Sequence, residues 1–167
     1  DGQAGTTGLQ IYQRLGDRED ITLLSIDPSK RKDAAERKKL LNAADLVFLC
    51  LPDAASVEAV SLIDNPNVRV IDASTAHRTN PAWTYGFSEL SAAQKDAIRT
   101  TKRLANPGCH ATGFISVVYP LVAAGLLPPD ADLSCFSLTG YSGGGKKMIA
   151  QYEVPDRPPR LSTPGIY

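Results

Sequence analysis

Apolar residues run along this chain in short bursts divided by polar stretches, and the spacing inside each burst sets the element it predicts. In residues 8–16 (GLQIYQRLG), Leu9, Ile11, Tyr12 and Leu15 suit one face of a short helix. Residues 21–26 (ITLLSI) are apolar, partly β-branched and uncharged, as a strand buried in a parallel sheet would be. A polar surface helix is expected over 33–43 and a second buried strand over 45–51 (DLVFLCL), ended by Pro52. Residues 54–63 read as a helix, 67–72 (NVRVID) as a third strand, 91–101 as a helix and 102–106 as a short strand. An apolar helix is then expected over 109–126, with Pro120 kinking or partly breaking it. Residues 132–139 (DLSCFSLT) suggest a strand of a different, less parallel sheet. A glycine-rich loop (140–145), a short helix (146–153) and a Pro-rich tail (154–165) complete the pattern.

Strand and helix alternate at short intervals, which is the mark of βαβ units around a parallel sheet. The expected fold class is therefore α/β, a Rossmann-like parallel sheet followed by the start of an α+β catalytic domain. The chain opens on a glycine loop with no strand before it and stops at LSTPGIY without closing an element. Both ends are accordingly expected to be missing parts of a larger protein, with residues 1–108 a nucleotide-binding domain and 109–167 an incomplete second domain. No internal repeat or low-complexity segment is evident.

Composition narrows the class of partner. Lys and Arg total 18 and Asp and Glu total 18, so no charge excess points to nucleic acid or a membrane surface, and a small-molecule site fits better. No run reaches the roughly 18 apolar residues of a membrane helix, and DGQAGTTG is unlike a signal peptide. The three cysteines, Cys50, Cys109 and Cys135, are too few and too widely spaced for a disulfide framework or a zinc site. They read as reduced thiols of a cytoplasmic protein.

Five constellations carry candidate chemistry. Gly2, Gly5 and Gly8 form a GxxGxxG turn before the first helix; such glycines permit close backbone approach and aim helix N–H groups at a phosphate, with Thr6 and Thr7 adding hydroxyls. After the ITLLSI strand, Asp27 stands about 20 positions beyond the glycines, where an acidic residue holds the ribose 2′-hydroxyl of NAD. The following Ser29, Lys30, Arg31 and Lys32 favour the 2′-phosphate of NADP instead. The balance leans to NADP, although some of these cations also suit an ordinary surface.

In Asn106-Pro107-Gly108-Cys109 a turn delivers the cysteine to a helix start, where the helix field favours a thiolate and so a covalent catalyst. A buried helix-start cysteine is the alternative, and His110 is adjacent in sequence and poorly directed to act as its base. Ser74 and Arg78, in Asp72-Ala73-Ser74-Thr75-Ala76-His77-Arg78, follow a strand end and are candidates to hold a phosphate or carboxylate. A capped turn with a surface arginine would look the same. Ser142, Gly143, Gly144, Gly145, Lys146 and Lys147 resemble an anion-cradling nest without the spacing of a P-loop, or a hinge.

Taken together, GQAGTTG, LSIDPSKRKDAAER, CLPDAA, VIDASTAHR, YGFSEL, NPGCHATGF and GYSGGGKKMIAQYE resemble the N-acetyl-γ-glutamyl-phosphate reductases of arginine biosynthesis, in their shorter form, from Asp1 to about Tyr152. The resemblance implies a Rossmann domain binding NADP, an inserted α+β catalytic domain and a homo-oligomer. It implies that Cys109 attacks the γ-carbonyl of an acyl phosphate and that the thioester is reduced by hydride to a semialdehyde. It further implies that Gly2, Gly5 and Gly8, with Thr6 and Thr7, form the cofactor loop, that Arg78 is the substrate-side arginine, and that Ser142 and Gly143 face the nicotinamide. Beside these, Ser29, Lys30 and Arg31 are expected to join the cofactor-binding set, and Ser74 and Asn106 the substrate-binding set. The family's usual NPGC-Tyr-Pro-Thr is here Cys109-His110-Ala111-Thr112, which alters the packing behind the sulfur. No counterpart of the family's catalytic histidine follows Tyr152, so residues 1–167 alone are expected to bind cofactor weakly and not to turn over. The rival readings are an aspartate-semialdehyde dehydrogenase relative, a dinucleotide-binding sensor without chemistry, and a thiol hydrolase. The last needs a histidine and a carboxylate converging on Cys109, for which neither His77 nor His110 has the expected spacing.

Overall fold

The structure is a computed structural model that describes residues 1–2 and 6–165, with residues 6, 7, 9 and 12 described by their backbone alone. Gly5 lies outside the described residues, as do the side chains of Thr6 and Thr7. Ten elements carry the fold: α1 (Thr6–Leu15), α2 (Ala34–Ala43), β1 (Leu46–Leu49), α3 (Asp53–Ser61), β2 (Arg69–Asp72), β3 (Thr84–Tyr85), α4 (Ala92–Thr100), β4 (Arg103–Ala105), α5 (Cys109–Ala123) and α6 (Gly145–Tyr152). Single 3₁₀ turns occupy Ser88–Leu90, Tyr141–Gly144 and Pro159–Ser162.

The helices start where the sequence offers caps. Asp33 accepts from the backbone N–H groups of Ala35 and Glu36 at 2.8 and 3.0 Å, satisfying two of the donors that a helix start leaves unpaired. Ser91 does the same for Gln94 at 3.0 Å. Helix α5 has no side-chain cap; Gly108 precedes it in an extended conformation.

All strands of the sheet run parallel, in the order β1-β2-β4-β3. Their pairing aligns Leu49 with Asp72, Asp72 with Ala105, and Ala105 with Tyr85, so the four carboxyl ends form one rim. The core is small and lies on one face of this sheet: Leu41 of α2, Val47 and Leu49 of β1, Ala59 of α3, and Val68 and Val70 at β2, with Trp83, Leu51 and Ile63 packed around them. Period-two alternation puts Asp72 on the same buried face as Val70, which brings a carboxylate into the core at the rim.

Several expectations change. Residues 21–26 form no strand, and Leu24 is 50% exposed. A parallel strand needs a neighbour along its length, and among the described residues the free edge of β1 meets Asp1, whose backbone nitrogen donates to Phe48 O (2.7 Å) and whose carbonyl accepts from Cys50 N (3.0 Å). Residues 132–139 likewise form no strand, with Phe136 89% and Leu138 76% exposed. Helix α5 runs through Pro120 unbroken and ends at Ala123 rather than residue 126. Beside Pro120's missing N–H, Ser116 turns its own hydroxyl back to Thr112 O at 2.7 Å and Gly113 O at 3.0 Å. β3 has only two residues, too few for any periodicity to announce it.

Leu49 is fully buried at the centre of this core. Leu49→Ala is expected to lower the unfolding free energy by about 3 kcal/mol, read as a shift in urea midpoint without a large change in slope.

Candidate active site

In an open parallel sheet, ligands bind beyond the carboxyl ends of the strands. The rim described above gathers Gly2, the loop after β2, the Asn106-Pro107-Gly108 turn and the start of α5. Gly2 reaches it by close contact. Gly2 has φ +83°, and a Cβ there would stand 2.2 Å from Cys50 O, so only glycine lets the chain pass the end of β1. Gly8 is buried within the first turn of α1. Arg37, which sequence reasoning passed over, fixes this corner: its Nε and Nη2 donate to the Asp1 carboxylate at 3.1 and 3.0 Å, and its Nη1 donates to Glu58 at 3.1 Å.

Asp27 and the residues after it form the turn that leads into α2. The Asp27 carboxylate accepts from Ser29 N at 2.8 Å and Ser29 Oγ at 2.7 Å, and these bonds hold its carboxyl below the ordinary carboxylate value. The Ser29 hydroxyl is thus engaged within the turn. Lys30 lies 3.8 Å from Glu36, and Arg31 and Lys32 are exposed. Through α2 and Arg37 this basic turn is tied to the glycine corner.

The loop after β2 is organised around Asp72. Its Oδ1 accepts from Ser56 Oγ (2.7 Å) and Ser74 N (2.9 Å), and its Oδ2 accepts from Ser74 Oγ (2.7 Å). Nδ1 of His77 lies 2.6 Å from the same Oδ2, and the His77 ring stacks on Trp83 with centroids 4.0 Å apart. Burial pushes the Asp72 carboxyl upward, but these bonds outweigh it and the group ionises below its ordinary value of 3.8. Ser74 therefore serves Asp72: its hydroxyl is engaged in the interior and is not displayed toward a ligand. Next to it, Thr75 donates to the Asp53 carboxylate through its N–H at 2.9 Å and through its hydroxyl.

Arg78 and Asn106 meet. Asn106 N donates to Asp72 O at 2.7 Å, and Asn106 O accepts from Arg78 Nε at 3.0 Å. Arg78 Nη2 donates to Ala73 O at 3.1 Å. Nη1 lies where a Cβ on Gly108 would fall, 2.5 Å from that position. The absence of a side chain at Gly108 is what admits the guanidinium to the residue immediately before Cys109.

Cys109 is exposed at the first position of α5, where the leading N–H groups have no intrahelical acceptor. Thr112 returns both its N–H (2.9 Å) and its hydroxyl (2.8 Å) to Gly108 O, which fixes the first turn. His110 Nδ1 lies 2.5 Å from Ser137 Oγ, a link from α5 to the 132–139 segment rather than to the sulfur. Cys50 is partly buried, and burial pushes its thiol up. Ser142 and Gly143 form the 3₁₀ turn before α6, braced by the stacking of Tyr141 on Tyr152 at 4.9 Å. Among the described residues, no hydrogen bond or ion pair in the structure joins Ser142 to the rim. No group of three or more His, Cys, Asp or Glu among the described residues is placed to hold a metal, and no described helix is long and apolar enough to cross a membrane.

A parallel sheet flanked by helices, with Gly2 close against its carboxyl rim, has the architecture of a Rossmann-like dinucleotide-binding protein. Residues 2–98 match the family described as "Semialdehyde dehydrogenase, NAD binding domain", and residues 109–163 match "Semialdehyde dehydrogenase, dimerisation domain"; the chain belongs to the semialdehyde dehydrogenase family. Among curated proteins it is 53% identical over 165 residues to the N-acetyl-gamma-glutamyl-phosphate reductase of Rhizobium leguminosarum bv. trifolii, covering 98% of this chain and 53% of the relative. It is 57% identical over 153 residues to the enzyme of that name from Chelativorans (92% and 49%). It is 53% identical over 153 residues to N-acetyl-gamma-glutamyl-phosphate reductase 2 of Nostoc (92% and 48%). The chain thus spans about half the length of the curated relatives it matches.

Two measurements probe this site. Because the Asp72 carboxyl ionises more readily in the folded than in the unfolded chain, its contribution is complete above the ordinary carboxylate value and is lost as pH falls through and below it. The melting temperature is expected to drop between about pH 5 and about pH 3, and Asp72→Asn is expected to be less stable at neutral pH with a flatter acid limb. Cys109 and Cys135 are both exposed, so Cys135 is the proper control for reactivity. Iodoacetamide at neutral pH is expected to label Cys109 about tenfold faster than Cys135. Equal rates would make Cys109 an ordinary surface thiol.

Proposed function

We propose that this chain is the nucleotide-binding half, with the beginning of the catalytic and dimerisation half, of an NADP-dependent reductase that converts N-acetyl-γ-glutamyl phosphate to N-acetylglutamate semialdehyde in arginine biosynthesis. Residues 1–108 form the first part and 109–167 begin the second. What supports this reading is that Gly2, Arg78 and the helix-start Cys109 each lie past the carboxyl end of a strand of one parallel sheet, in a chain more than half identical to reductases of that name.

The residues present fit a dinucleotide. Gly2 lies flush with Cys50, α1 begins at Thr6 with leading N–H groups that have no intrahelical acceptor, and Lys30 and Arg31 offer cations on the turn after Asp27. Gly5, Thr6, Thr7, Gly8 and Ser29 complete the cofactor-binding set of this reading, and Ser142 and Gly143 belong to it at the nicotinamide side. When bound, NADPH supplies the hydride. Cys109 acts as the nucleophile: its sulfur forms a bond to the γ-carbonyl carbon, the bond from that carbon to the phosphate oxygen breaks, and phosphate leaves. The Cys109 thioester would be the group that takes up this hydride at its carbonyl carbon; on breaking its C–S bond Cys109 leaves as the thiolate and frees the aldehyde. Arg78 brings positive charge to the phosphate side of this exchange, on a guanidinium held by the carbonyls of Ala73 and Asn106. The protein is read as cytoplasmic and homo-oligomeric, its partner a small acyl phosphate rather than nucleic acid or membrane.

An NADPH-linked assay of the complete gene product tests this. Turnover is expected with N-acetyl-γ-glutamyl phosphate and not with aspartyl phosphate, and Cys109→Ser is expected to lower kcat by roughly 10³-fold or more. Residues 1–167 alone are expected to show none. Preference for aspartyl phosphate, or full activity without the Cys109 sulfur, would replace this reading.

A further inference from the structure

The His77 ring has no step in the chemistry proposed above, yet it is buried against a carboxylate and an indole in the loop that carries Arg78. β2 ends at Asp72, where the backbone must leave the sheet. Ser74 clamps the loop's first residues to the Asp72 carboxylate, and His77 clamps its far end to the same group. Just past the second clamp, Arg78 N donates back to Thr75 O at 3.3 Å and closes the turn. His77 O accepts from Asn80 N at 3.2 Å, which starts the return toward Trp83. Trp83 stacks on the ring and packs against the main core, so the orientation of residue 77 is determined from both sides. The direction in which Arg78 departs is therefore determined as well. Its Nε and Nη2 are satisfied by carbonyls, while Nη1 lies over Gly108 without a hydrogen-bond partner among the described residues.

We propose that the Asp72–His77 pair, braced by Trp83, is a positioning device that holds the Arg78 guanidinium over Gly108 and thereby sets the electrostatic environment of the Cys109 sulfur. His77 is a positioning residue acting through Arg78; it exchanges no proton with the substrate. The inference rests on the reading of Cys109 as the nucleophile, but its readout needs neither cofactor nor substrate. A guanidinium held one residue from a helix-start sulfur acts on that sulfur's reactivity through its charge, and the influence falls away when the cation is free to swing into solvent. A role for His77 confined to stability would lower the melting temperature without changing the labelling of Cys109 relative to Cys135.

The test is a double-mutant cycle on the complete gene product, read as the iodoacetamide labelling rate of Cys109 with Cys135 as internal control. His77→Leu and Arg78→Ala are each expected to slow Cys109 about fivefold, and the double variant is expected to be no slower than Arg78→Ala alone. His77→Asn, whose amide nitrogen stands near the position of Nδ1, is expected to recover most of the loss. Trp83→Leu removes the ring stack while leaving the Asp72 donors in place, and decides the question if His77→Leu does not fold. It is expected to slow Cys109 about threefold in the parent and not at all in the Arg78→Ala background. Additive losses, or an unchanged rate in the folded His77→Leu or Trp83→Leu protein, overturn the proposal. Turnover followed alongside separates the two readings: a parent enzyme with no reductase activity counts against the proposed function, whatever the labelling cycle gives.

Discussion

The carboxylate of Asp72 enters the core because a strand alternates, and Val70 and Asp72 must share a face. An ionised carboxylate without partners in that position would cost several kcal/mol, so the surrounding chain is bound to supply donors. Ser56 comes from α3, Ser74 and His77 come from the loop that follows the strand, and each is in place only when the sheet, the helix and the loop are all formed. Asp72 also accepts Asn106 N at its carbonyl, at 2.7 Å, which ties the strand end to the turn before Cys109. One buried charge thus links the hydrophobic core to the turn before Cys109 at the rim. Its low proton affinity follows from the number of donors around it, since burial alone would have raised it.

Much of this was legible in the residues. The strands at 46–49 and 69–72 are short apolar runs closed by Pro52 and by Asp72, and the helices over 34–43 and 92–100 start at Asp33 and Ser91, residues suited to capping. Signals of this kind depend on neighbours a few positions away, and sequence contains those directly. Residues 21–26 and 132–139 misled because a strand's identity is shared with its partner: ITLLSI has the composition of a strand, but pairing is a long-range property. Pro120 misled in the other direction. A helix of mostly apolar residues continued past it, losing one hydrogen bond instead of its course.

The site was legible in type and less so in role. The stretch from Asp72 to Arg78 stood out as chemically rich, yet Ser74 was expected to face a ligand and instead completes the shell of a buried acid. The clue was present: an aspartate alternating with valine inside a β-branched run has to be satisfied, and hydroxyl and imidazole groups follow at once. Arg37 gave no such clue, because its partners Asp1 and Glu58 come from distant parts of the chain. The helix start at Cys109 was legible from the turn that precedes it, since proline and glycine state where a helix begins more plainly than any hydrophobic period does.

The contact between the Arg78 guanidinium and the bare α-carbon of Gly108 has an evolutionary corollary. Neither position is free to drift by itself. A methyl group at 108 displaces the arginine, and a bulkier or shorter residue at 78 leaves the glycine with no reason to be retained. Lineages descending from a common ancestor should therefore exchange these two residues together or keep both, so that their histories read as a single character despite the 30 positions between them.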